Sequence, residues 1–153
     1  MKRFKFKLQP LLNYRQYLER LAQQNTAKAN LNVKNCEKQI THLKQAYNQN
    51  ADTIERNMLK GVKASEFRRY HDYLDSVENS IEDEKSRKID LKKVLKEKLL
   101  ELKKKSVDKK VMEIYREKLK ADYTQEIIKI EQKELDEISS LKTARTLANE
   151  TLQ

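Results

Sequence analysis

The stretch Lys60-Gly61-Val62-Lys63-Ala64-Ser65 holds the only glycine of a 153-residue chain whose only proline is Pro10. Gly and Pro punctuate a chain into strands and turns, and an average protein carries about a dozen per cent of the two together. The remainder here is rich in Lys, Glu, Leu, Gln and Ala, which lose little side-chain entropy in a helix. Such a polypeptide is a helical rod folded back once. Gly61 suits the position just past a helix, where a left-handed backbone costs glycine nothing. Ser65 suits the cap of a second helix, with Glu66 close to its positive end.

Outward from this reversal, apolar spacing decides between disorder and a coiled coil. Ala29, Val33, Cys36, Ile40, Leu43 and Tyr47, then polar Asn50, then Ile54 recur in steps of four and three, the pattern of a left-handed coiled-coil seam. Further upstream the apolar residues are Leu11, Tyr14, Leu18, Ala22 and Thr26. That phasing implies one inserted residue and a local unwinding of the supercoil. Beyond Ser65 a second stripe runs through Tyr70, Tyr73 or Leu74, Val77 and Ile81. It continues through Leu91, Leu95, Leu99 and Leu102 and, past a more polar stretch, through Leu119, Tyr123, Ile127, Ile130, Ile138, Leu141 and Ala148. Phe4, Phe6 and Leu8 alternate with Lys5 and Lys7, which reads as an extended lead-in carrying exposed aromatics. Pro10 fits the first turn of a helix, where its missing N–H removes no bond. The expected fold is all-α, a long antiparallel two-helix coiled-coil hairpin in a single domain spanning 1–153. It comprises a lead-in over 1–9, helix over 10–60, a turn at 61–65 and helix over 66–150. The second arm outruns the first and should overhang or bend.

Apolar residues make up 37% of the chain against 38% charged, enough for a stripe on each helix but not for a compact core. The net charge is +10, unevenly placed. Lys85 to Lys120 carries fifteen basic residues against six acidic, a surplus of nine. Such a stretch could meet nucleic acid, an anionic membrane or an acidic protein; a solvated helix face is the simpler reading. Its bases are nearly all lysine and Tyr115 is its only aromatic, so the arginine forks and stacking rings of nucleic-acid readers are missing. No nucleic-acid partner is expected.

Catalytic patterns are absent. The sequence around Gly61 lacks a phosphate-loop motif. His42 and His71 have no partner at zinc-ligand spacing, and paired carboxylates such as Glu82 and Asp83 need a cleft to shift their pKa. We expect no enzyme activity, no metal and no cofactor. Cys36 is the only cysteine and sits on the apolar stripe, where a thiol acts as a small hydrophobe; a reducing compartment fits. The basic start lacks a continuous apolar stretch, so no secretory signal is expected, and nothing approaches bilayer-spanning length. Tyr47, Phe67, Tyr70 and Tyr73 flank the reversal. They suit either an interface core or packing across the hairpin near its tip.

Three segments in order resemble the flagellar export protein FliJ family. They are Phe4-Lys5-Phe6-Lys7-Leu8 with Leu11-Leu12-Asn13-Tyr14-Arg15, then Gly61 with Ala64-Ser65, Tyr70, Tyr73-Leu74 and Ile81, then Glu131-Gln132-Lys133-Glu134-Leu135-Asp136-Glu137. The resemblance implies a stalk-like hairpin, similar to the central stalk of rotary ATPases, in the bacterial flagellar type III export apparatus that builds the motility organelle. It implies docking in the export ATPase hexamer through Phe4, Phe6, Leu8, Leu11, Leu12, Arg15, Glu134, Leu135, Asp136 and Glu137. It further implies contact with the cytoplasmic domain of the export-gate membrane protein through Ile40, Leu43, Tyr47, Tyr73, Val77 and Glu84, and handling of export chaperones. The location it implies is cytoplasmic, peripheral on the inner membrane. A generic coiled-coil adaptor, or the analogous stalk of a virulence-type secretion system, would share the same physics.

Overall fold

The computed structural model describes residues 3–150, with side chains placed from 3 to 147; the expected role of Ala148 in the stripe lies outside the described side chains, and the outermost residues of the expected domain lie outside the described chain. Two helices account for nearly all of it: α1 (Gln9–Lys60) and α2 (Ala64–Glu150). Between them Gly61 adopts φ +89°, the left-handed conformation that favours glycine, and its N–H donates to the Met58 carbonyl at 3.2 Å. The Lys63 carbonyl accepts from Glu66 N and Phe67 N, both at 3.0 Å. The second helix therefore opens at Ala64, and Ser65 lies inside its first turn rather than ahead of it as a cap. The fold is an all-α, antiparallel coiled-coil hairpin.

The chain forms two compact units. One joins the described residues up to Gln16 with those from Val107 on; the other is Tyr17–Ser106.

Within Tyr17–Ser106, Ala22, Ala29, Val33, Cys36 and Ile40 are buried, and Leu43, Tyr47, Asn50 and Ile54 half-buried. This is the heptad read from the sequence. On α2 the facing side chains are Tyr70, Leu74, Val77, Ile81, Glu84, Lys88, Leu91, Leu95, Lys98 and Leu102, all buried or half-buried, again in steps of four and three. Antiparallel pairing shows in the cross-helix bonds. Thr26 Oγ1 donates to the Lys98 carbonyl at 3.2 Å, whereas Cys36 Sγ donates to the Glu84 carbonyl at 3.2 Å. Of the two candidates at 73 and 74, the seam takes Leu74; Tyr73 is 46% exposed. Leu99 is expelled from the stripe: Lys98 holds the heptad position, its carbon stem able to pack while the ammonium reaches water, and Leu99 is 49% exposed.

In the other unit Leu12 is wholly buried and Met112 nearly so. Arg15 Nη1 donates to the Asp108 carbonyl at 2.6 Å. On α1 the buried or half-buried side chains are Leu12, Arg15, Glu19, Ala22 and Thr26, in regular steps of three and four. The inserted residue inferred from Leu11 and Tyr14 is thus corrected: those side chains are 40% and 57% exposed, and polar Arg15 and Glu19 occupy the stripe. From Gln132 to Leu147 every side chain of α2 is exposed. Ile138 and Leu141 continue the apolar pattern there without becoming buried.

Candidate functional site

Every residue assigned to ATPase docking falls in the unit made of the N-terminal residues and α2 from Val107. Every residue assigned to the export gate falls in Tyr17–Ser106. Each set is described by itself.

In the first, residues 3–6 carry no helix and run against α2. The Phe4 ring lies 5.7 Å from that of Tyr123, and the Phe6 ring meets Tyr115 edge-on at 6.2 Å. The exposed aromatics expected at the free end are therefore half-buried. The physical reason is a match of spacing: alternate residues of an extended chain advance by nearly 7 Å, a helix by about 6 Å per four residues. Phe4 and Phe6 can thus reach down the Tyr123–Leu119–Tyr115 row. A shallow groove of about 620 Å³ runs along the contact between Lys7, Leu8, Asp122 and Glu126. Leu8 and Leu11 remain 41% and 40% exposed, and beside them Arg15 is half-buried. Leu12 has no exposed surface; its role is packing, which corrects its place in a docking surface. Glu134, Asp136 and Glu137 are exposed and Leu135 is 65% exposed. They begin eleven residues past Tyr123, about 16 Å along the helix, so they do not meet the phenylalanines as expected.

In the second set, Ile40 and Val77 are buried at 8% and 7%, and they too leave the contact surface because the seam uses them. Leu43, Tyr47 and Glu84 are half-buried and Tyr73 is exposed. Glu84 accepts from Cys36 Sγ at 3.3 Å and, through its other oxygen, from Arg87 Nη1 at 3.3 Å. Burial, with the nearby Glu84 carboxylate, pushes the Cys36 thiol above its ordinary pKa. Near the reversal a groove of about 650 Å³ is lined by Asn57, Lys60, Arg69, Tyr70 and Tyr73. Sequence spacing did not reveal it, because it forms where polar Asn50 and Asn57 stand at seam positions and leave space between the helices. The Phe67 ring stacks on His71 at 6.0 Å, beside exposed Met58 and Leu59.

Among the described residues no cluster of His, Cys, Asp or Glu could hold a metal. No described helix is long and apolar enough to cross a membrane. What the arrangement offers is exposed apolar surface on stiff helices, suited to docking.

The family model described as flagellar FliJ protein matches residues 4–147, nearly the whole chain. No curated protein and no solved structure matches it. The chain belongs to the FliJ family, whose members are stalk-like, non-enzymatic components of the flagellar type III export apparatus.

Proposed function

We propose that this FliJ-family chain works at the centre of the export ATPase hexamer through the unit containing its N-terminal residues, while Tyr17–Ser106 contacts the export gate and export chaperones. The observation that carries the ATPase assignment is the exposure of Leu8, Leu11 and Leu135 on a unit that also bears Lys5 and Lys7. A monomer leaves such surface open at a cost in solubility, and contiguous apolar exposure of this kind marks an interaction site. Phe4 and Phe6 present only part of each ring, so they shape the surface from behind as much as they contact a ring of subunits. Arg15, bonded to the Asp108 carbonyl, and the exposed Glu134, Asp136 and Glu137 supply polar rim contacts.

For the gate, Tyr73 and the half-buried edges of Leu43, Tyr47 and Glu84 are the available contacts. The chain acts in the cytoplasm, peripheral to the inner membrane. Co-elution with the purified export ATPase hexamer on size exclusion tests the assignment. Wild-type chain shifts to the hexamer fraction; failure to co-elute at micromolar concentration counts against it.

A further inference from the structure

Leu99 is the side chain the seam rejects. It stands 49% exposed in a groove of about 400 Å³ that it forms with Leu95 and Leu102 of α2 and Gln23, Ala27 and Asn30 of α1. The charges around it are sorted. At 100° per residue, Lys92, Lys96 and Lys103 stand within about 60° of Leu99, all three exposed. None of the three forms an ion pair within the described residues, whereas neighbouring Lys93 and Lys98 pair with Asp90 and Glu101. Asp90, Glu97 and Glu101 lie on the opposite face of the helix, within about 20° of diametrically opposed. One edge of the groove is therefore uniformly cationic, although acids are interspersed along the same sequence.

We propose that this groove of Tyr17–Ser106 docks an acidic amphipathic helix of a partner protein, with its apolar stripe on Leu95, Leu99 and Leu102 and its carboxylates on Lys92, Lys96 and Lys103. Shape and charge select this occupant together. A third helix seats its ridge of side chains in the depression between two others, which a planar lipid surface cannot enter. The lysine row supplies the complement to carboxylates and steers their approach. Ala27 and Thr26, small residues on the α1 edge, leave room for the incoming side chains. The site goes beyond the ATPase and gate surfaces proposed above and stands without them.

The test uses the full chain and a fluorescein-labelled peptide of about three heptads with leucine at the first and fourth positions and glutamate and alanine elsewhere. Anisotropy should report binding that weakens as salt rises. Leu99→Gln should reduce affinity by about tenfold, the effect of losing a central apolar anchor, with no change in thermal melting. The triple change Lys92→Gln, Lys96→Gln, Lys103→Gln keeps helix propensity; it should also weaken binding and flatten its salt dependence. A peptide with lysine in place of glutamate should not bind. Equal affinity for Leu99→Gln, or for a peptide of the same composition in scrambled order, overturns the proposal. So does recruitment of the chain to phosphatidylglycerol vesicles that is lost in the same variants while the peptide fails to bind, which would make this face a lipid contact. Loss of ATPase co-elution bears only on the other unit, so the two readings fail separately.

Discussion

Cys36 and Glu84 meet across the hairpin: the thiol lies 3.2 Å from the Glu84 carbonyl and 3.3 Å from its carboxylate Oε2. A cysteine on an apolar seam thus doubles as a hydrogen-bond donor, and a half-buried carboxylate next to it is satisfied by the thiol and by Arg87. Seam polarity recurs at Arg15, Glu19, Thr26 and Lys98. Polar layers of this sort specify register at a cost in stability.

The thiol should react slowly. Burial first, then the Glu84 bond and charge, hold its pKa above the ordinary 9.0, and only the thiolate is nucleophilic. Disulfide-reagent labelling at pH 8 should be far slower than for a free cysteine, and Glu84→Gln should accelerate it. A pKa raised by folding contributes stability fully present below 9.0 and lost as pH climbs through the raised value. The gap in melting temperature between wild type and Cys36→Ala should therefore narrow on the alkaline side. Labelling as fast as for free cysteine contradicts the geometry.

Glu37 titrates the other way. Lys88 Nζ lies 2.9 Å from its carboxylate, and this bond, helped by the charges of Lys88, Lys92 and Lys34, lowers its pKa from the ordinary 4.5. Its contribution is present above 4.5 and is lost as pH falls through the lowered value. The pair is solvent-accessible, so its effect on melting is small and carboxyl NMR is the better probe. Lys88→Gln should raise the Glu37 midpoint towards 4.5; an unmoved midpoint would show that the bond does not persist in solution.

The corrected seam gives a contrast between neighbours. Leu12→Ala removes a side chain with no exposed surface and should cost about 2–5 kcal/mol. Leu11→Ala, at a site 40% exposed, should cost about 1 kcal/mol or less. Urea denaturation of the two variants measures both, and equal losses would restore the phasing in which Leu11 belongs to the core.

Much of the hairpin was legible because its rules are local. Gly61 alone could take a positive φ cheaply, and the steps from Ala29 to Ile54 left one face to bury. Legibility failed where polar residues hold seam positions. Arg15, Glu19, Lys88 and Lys98 are half-buried or buried, yet a search for apolar periodicity passes them by and settles on Leu11, Tyr14 and Leu99 instead. Met112, buried among lysines, was missed for the same reason. The docking residues came from family resemblance rather than spacing, so nothing in the sequence foretold that Phe4 and Phe6 would lie against tyrosines, or that Leu12, Ile40 and Val77 would be consumed by packing.

The central claim, that the unit with the N-terminal residues engages the export ATPase, is tested most directly by stimulation of that ATPase. Leu8→Asp, Leu11→Asp and Leu135→Asp together alter only exposed side chains, so the helical circular-dichroism signal should stay at the wild-type level. Turnover with saturating wild-type chain should rise above that of the hexamer alone, and the triple variant should leave it at the basal rate. Full stimulation by a folded triple variant would contradict the account.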